Sequence, residues 1–232
     1  MKPCITCQNK PLKNGVYKSH LELFVQKQLP VSNKCYRSKD EAVNKVKLSN
    51  LKPNKTIFYF ATNDRDFTKS IEPRLKAYGK LENSGVAKTN DKGESSAYLK
   101  CPQLYVNHDD RVYSRHLHFL YWDDKKDNWD DNLYTVQMLC SVSKELLEKN
   151  MKKIHLVDAR PEEMFEKSHL DHAISMPHNK RLTDEKVFEL LNIKDNNKLV
   201  PIVLYSKKDQ EMVVQLHAKL NKLGFLNTMA YP

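Results

Sequence analysis

The 232-residue sequence predicts an α+β chain of two domains, an antiparallel β-sandwich followed by a small α/β domain with a parallel sheet. Three observations carry this expectation. Between about residues 51 and 142, apolar and polar residues alternate in short runs separated by turn residues, the pattern of antiparallel strands with one solvated face. From residue 143 onward the period changes, and apolar strands alternate with amphipathic helices, which implies a parallel sheet covered on both faces. Residues 1–50 fit neither pattern and read as a separate segment, with a Cys4-x-x-Cys7 pair and a short helix.

In that first segment "SHLELFVQKQLP" is the amphipathic run, and the Lys-rich "SKDEAVNKVKLSN" leads out of it. In residues 51–142, strands are expected in "KTIFYFATN", "SGVAKTNDKGESSAYLKCP", "HLHFLYW" and "NLYTVQMLCSV". "WDDKKDNWDDN", from Trp122 to Asn132, lacks the glycine and closing glutamate of an EF-hand calcium loop. It is expected to be a long solvated hairpin tip, whose two tryptophans could be partner contacts. In residues 143–232, "SVSKELLEKNMK" is a helix capped by Ser143, "KIHLVDA" a strand, and "RPEEMFEKS" a helix opened by Pro161. "TDEKVFELLNI" is a helix capped by Thr183, and "LVPIVLYS" a second strand. "QEMVVQLHAKLNKLG" is a helix stopped by Gly224, and "FLNTMAY" a last strand.

Composition bounds the function. Forty per cent apolar and 29% charged residues describe a globular chain, but the mean hydropathy of −0.70 is polar for a well-filled core. Five glycines argue against a glycine-rich phosphate cradle. The formal charge of +10 comes from 32 Lys and 7 Arg spread from end to end. A base-reading protein leans on arginine, so the dispersed lysines read first as a solvated surface, with nucleic acid or another acidic partner as the alternative. The Lys and Asn abundance fits an AT-rich coding genome, as in some protists and large DNA viruses. No apolar leader opens the sequence, and no run approaches the ~18 residues of a membrane span. Five cysteines without a dense framework suit reduced thiols in an intracellular, cytoplasmic or virion setting, and the chain is not expected to be secreted.

Three groups of residues are candidate sites. Cys4 and Cys7, with His20 and Cys35 at a distance, could supply a zinc site. His116 and His118 alternate on a strand and so point to one face, where Tyr105 or Tyr113 could add a phenolate to a metal shell. The third group is "YSKKDQE", where an apolar strand meets a helix: Ser206, Lys207, Lys208, Asp209, Gln210 and Glu211.

"LVDARPEEMFEKSHLDHAISMP" resembles the opening signature of the rhodanese-like family, with Asp158, Arg160, Glu163, Phe165, His169, Leu170, Ala173 and Pro177 at matching places. "IVLYS" and "LHAKLNKLGFLNTMAY" resemble its second signature. The resemblance implies a nucleophilic cysteine at the strand-to-helix junction, and Ser206 stands there. A serine without an adjacent base cannot carry sulfane sulfur, and Asp209 and Glu211 oppose any oxyanion at the loop. Ser168 and His172 also replace the two glycines that the family places around the histidine.

"TNDKGESSAYLKCPQLYVNHDDRVYSRHLHFLYWD" is similar to part of the intradiol ring-cleavage dioxygenases, through Thr89, Asp91, Gly93, Pro102, Tyr105, Arg115, His116 and His118. That resemblance implies ferric iron held by two histidines and two tyrosinates, with Tyr78 a candidate for the second. It departs from the family in placing Arg115 directly before His116.

The expectation from sequence is therefore a non-catalytic structural or scaffolding protein with a degenerate rhodanese-like module and no cofactor. Its partners would be other proteins in a larger assembly, a virus particle being one version. The alternatives are a metal-binding or oxygenase-like protein with its site at His116 and His118, and a sulfurtransferase-related regulatory domain that binds an anion.

Overall fold

The computed structural model describes residues 16–20, 22–37, 44–178, 181–207 and 209–232. The chain divides into two compact units, one of Met1–Arg65 with Ile71–Met138 and one of Asp66–Ser70 with Leu139–Pro232.

The first unit runs β1 (Val16–His20), α1 (Leu23–Gln26), β2 (Asn44–Leu48), β3 (Thr56–Ala61), β4 (Glu72–Pro73), α2 (Arg74–Tyr78), β5 (Ser84–Lys88) and β6 (Ser95–Leu99). It continues with β7 (Tyr105–Val106), β8 (Val112–Tyr113), β9 (His116–Asp123), β10 (Asn128–Trp129) and β11 (Asn132–Gln137). The main sheet has the order β1-β11-β9-β3-β5, with β10 added to β9, and its pairs are antiparallel. β2 and β6 form a two-stranded ribbon, and β4, β7 and β8 a small third sheet. β1 was not expected: "VYKSH" pairs with β11 from Val16 opposite Val136 to His20 opposite Asn132.

Side chains of β3 alternate between the two faces of the sheet. Phe58 and Phe60 pack with Ala77 and Tyr78 of α2, Tyr105 of β7 and Leu120. Ile57, Tyr59 and Ala61 pack on the other side with Leu117, Phe119 and the ribbon residues Leu48, Ala97 and Leu99. Burial on both faces explains why β3 and β9 are almost continuously apolar and aromatic. The layer opposite the ribbon is built from short helices and strands.

The hairpin tip is solvated at residues 124–128, as expected, but its two tryptophans face inward. Trp122 and Trp129 are buried and meet edge to face at 5.0 Å, and the Trp129 indole donates to the Pro30 carbonyl at 2.7 Å. These rings are core, so they are not partner contacts.

The second unit runs α3 (Lys144–Asn150), a 3₁₀ turn (Met151–Lys153), β12 (His155–Asp158), α4 (Glu162–Lys167), β13 (Ile174–Ser175) and α5 (Asp184–Leu190). It ends with β14 (Ile202–Tyr205), α6 (Gln210–Lys222) and β15 (Thr228–Tyr231). Its sheet has the order β13-β12-β14-β15 and is parallel throughout. The caps act as the sequence implies: Ser143 Oγ accepts from Leu146 N, and Thr183 Oγ1 accepts from Lys186 N. Gly224, at φ 92, lets the chain turn out of α6. Val213, Leu216 and Leu220 lie along one stripe of α6 and join Val157, Ile202, Leu204 and Phe225 in the core. Asn227 Nδ2 donates to the carbonyls of Leu199 and Phe67, tying segment 66–70 into this unit.

Candidate functional site

Four side chains from three elements of the first unit converge. His116 and His118 are two residues apart on β9, so both rings project from one face. Tyr78 is the last residue of α2, and Tyr105 opens β7 opposite Tyr113. The chain leaves α2 through Gly79 at φ 53, where a Cβ would come within 2.8 Å of both Asn63 and Glu82 side-chain atoms. Glycine is thus required for the turn that fixes Tyr78. His116 Nε2 lies 3.1 Å from His118 Nε2, 3.2 Å from the Tyr78 hydroxyl and 3.4 Å from the Tyr105 hydroxyl. His118 Nε2 lies 2.9 Å from the Tyr78 hydroxyl. All four residues are buried, with exposures of 1% for Tyr78, 4% for Tyr105, 6% for His116 and 9% for His118.

The outer ring nitrogens are held as well. His116 Nδ1 donates to the Ser114 carbonyl at 2.6 Å, and His118 Nδ1 meets Thr135 Oγ1 at 2.8 Å. The Ser114 carbonyl only accepts, so it fixes the His116 tautomer and leaves a lone pair on Nε2 facing inward. Burial pushes the His116 pKa down to about 4 against a small upward effect of that carbonyl. Burial, then the adjacent His116, pushes His118 well below its ordinary value. Both imidazoles are therefore neutral at neutral pH, the form that ligates a metal.

The arrangement has one chemical peculiarity. A neutral His116 has a single lone pair on Nε2, yet three polar atoms stand within 3.4 Å of it. Hydrogen bonding satisfies only one of these approaches well. A cation among the four donors would engage all of them once the pairs at 2.9, 3.1 and 3.2 Å open by a few tenths of an ångström, because ligands at about 2.0–2.2 Å from a tetrahedral ion stand about 3.3–3.6 Å from one another. Among the described residues, no three His, Cys, Asp or Glu side chains are placed to hold a metal ion. A metal held here would therefore need the tyrosine oxygens.

The strand-to-helix loop of the second unit is built differently. Ser206 is buried after β14, and its Oγ accepts from Asp209 N at 3.2 Å. The Asp209 carboxylate caps α6 by accepting from Glu211 N at 3.0 Å. The electropositive end of this helix, where an anion would sit, thus already holds a carboxylate of the chain. Lys207 Nζ contacts Ser168 Oγ across the loop; Lys208 lies outside the described residues. Beneath the loop, Arg160 grips Asp158 through Nε at 2.9 and 3.1 Å and Nη2 at 2.6 Å, and Nη2 also donates to the Ser168 carbonyl. His169 bonds the Phe165 carbonyl through Nδ1 at 2.9 Å, and its ring stacks on Phe165 at 4.1 Å. His172 adopts φ 63, a left-handed turn made without glycine.

Residues 143–231 match the family model of the rhodanese-like domain. The second unit carries a rhodanese-like domain. A solved structure similar to this chain is that of SseA from Escherichia coli, described as a 3-mercaptopyruvate sulfotransferase with the rhodanese fold. It is 17% identical, with 40% of this chain and 39% of that chain covered and a TM-score of 0.29. The chain thus spans well under half the length of that protein. No curated protein matches.

The family match begins at residue 143 and lends no support to a resemblance of the first unit to the intradiol dioxygenases. The structure brings Tyr105, His116 and His118 together and adds Tyr78 to them. Tyr113 stacks on Tyr105 at 4.9 Å and supports that ring. Of the zinc candidates, Cys4 and Cys7 lie outside the described residues, His20 ends β1, and Cys35 is exposed with a free thiol. Among the described residues no helix is long and apolar enough to cross a membrane.

Proposed function

We propose that the first unit, a sandwich-type layered sheet, binds one transition-metal ion through His116 Nε2, His118 Nε2 and the hydroxyl oxygens of Tyr78 and Tyr105. The observation that carries this reading is the single lone pair of His116 met by three polar neighbours at 3.1–3.4 Å. Imidazole nitrogen suits iron or zinc, and phenolate oxygens supply the negative charge that a buried cation needs. The reading revises the expectation of no cofactor. Four protein donors complete a tetrahedral shell, as in structural metal sites, so the reading covers metal binding and does not extend to ring cleavage. Purified chain is expected to carry close to one equivalent of iron or zinc. A His116→Ala, His118→Ala double variant is expected to carry less than a tenth of that. Metal-free wild type, after growth with both metals supplied, contradicts the reading.

A second reading concerns the rhodanese-like domain, which we infer serves as a folded interaction or scaffolding module without sulfur transfer. It is supported by Ser206 at the junction and by the Asp209 carboxylate at the start of α6, which also disfavours an anion-binding regulatory role. The same purified sample is expected to show no transfer of sulfur from thiosulfate or 3-mercaptopyruvate to cyanide. Turnover that travels with the protein through purification, whether or not it depends on Ser206, sinks this reading.

A further inference from the structure

A second feature of the first unit lies apart from the histidines. A groove of about 920 Å³ runs between the edge strand β5, the β2–β6 ribbon and residues 35–37. It is near the top of the ~300–1,000 Å³ range of small-molecule pockets, and it is an open trough. Its walls carry three cations, Arg37, Lys47 and Lys88, against one carboxylate, Glu94. All four are exposed.

Aromatic rings are interleaved with these charges. The Arg37 guanidinium lies over the Tyr98 ring, 3.8 Å from its centroid, and Lys45 Nζ approaches the same ring at 5.9 Å. Stacking fixes the plane of the guanidinium and leaves its edge N–H groups free to meet an oxyanion. On the ribbon, Lys45 stands opposite Tyr98 and Lys47 opposite Ser96, which places cation, ring and hydroxyl on one face. Tyr36 is held at the rim by two backbone bonds to Val86, at 2.8 and 3.0 Å, while 40% of the residue stays exposed. The segment that presents the ring is thus anchored. The Tyr59 hydroxyl forms part of the floor and occupies the space that a Cβ on Gly85 would need, 2.3 Å away.

We propose that this groove binds a short single-stranded nucleic-acid segment, with a base stacked on Tyr36 and phosphates against Arg37, Lys47 and Lys88. A positive trough with an exposed ring at its rim is an arrangement that can hold a single strand without reading its sequence. A rigid duplex presents no unstacked base to Tyr36, and an acidic peptide has no flat base to stack. The chain's net charge of +10 adds long-range attraction to the same ligand. The proposal is independent of the metal reading.

The test is fluorescence anisotropy of the full chain with a labelled deoxythymidine 10-mer across a salt series. Three phosphate contacts predict a slope of log affinity against log salt of about −2. The Arg37→Ala, Lys47→Ala, Lys88→Ala triple variant should bind at least tenfold more weakly and flatten that slope. Tyr36→Ala should weaken binding by about tenfold while leaving the slope unchanged, because stacking is not ionic. Three results overturn the proposal: affinity unchanged in the triple variant, duplex bound as tightly as single strand, or polyglutamate displacing the probe as well as unlabelled oligomer does. Circular dichroism of each variant confirms that a loss of binding is not a loss of fold.

Discussion

Arg160→Ala is expected to destabilise the rhodanese-like domain by about 3–5 kcal/mol, the cost of leaving one partner of a buried ion pair alone. Asp158 is fully buried at the end of β12, and its two carboxylate oxygens are gripped by Arg160. The same guanidinium ties the Ser168 carbonyl to this pair, so its removal also loosens the chain after α4. The readout is hydrogen exchange in β12, β14 and β15, where protection should fall by about a hundred- to several-thousand-fold. A fall of less than tenfold contradicts the account.

The pair also sets an acid limit. Burial alone would raise the Asp158 pKa, but the hydrogen bonds from Arg160 and Tyr205 and the Arg160 charge outweigh it and hold the carboxyl below its ordinary range. A folded-state pKa below the unfolded value of about 3.9 means that the stabilisation is fully present above that pH. It is lost as pH falls through the folded value. Wild type should therefore lose protection in these strands below about pH 4, and Arg160→Ala should lose less over the same interval.

Metal removal should have the second large effect, confined to the first unit. α2 has five residues, far fewer than the ~12–15 that an isolated helix needs. It is held by Ala77 and Tyr78 in the core, and Tyr78 is one of the four proposed donors. With free metal a thousandfold above its dissociation constant, binding contributes about 4 kcal/mol. Chelation should then speed exchange in Arg74–Tyr78 and β9 by up to about a thousandfold, while β12 and β14 are unaffected. Equal exchange in loaded and chelated protein contradicts a metal role.

The rhodanese-like domain was legible in the sequence because strand and helix periods alternate cleanly there, and because Ser143, Thr183 and Gly224 mark helix ends by their own chemistry. β1 was not legible: five residues of mixed polarity gain their partner only through Asn132–Gln137, over a hundred residues away. The tryptophans misled because the surrounding aspartates read as solvent, although a hairpin turn leaves Trp122 and Trp129 paired across β9 and β10 and facing the core. In the candidate site, His116 and His118 were legible from strand alternation. Tyr78 gave only a weak signal, since nothing local to "RLKAYG" says that its ring ends beside β9. Glycine straight after a tyrosine at a helix end was the available hint.

The measurement that reaches the central claim most directly is X-ray absorption at the metal edge of the loaded protein. The account predicts a first shell of four nitrogen and oxygen donors at about 2.0–2.2 Å, two of them imidazoles, and no sulfur. Sulfur at about 2.3 Å would place the ion on cysteines such as Cys4 and Cys7, and would contradict it.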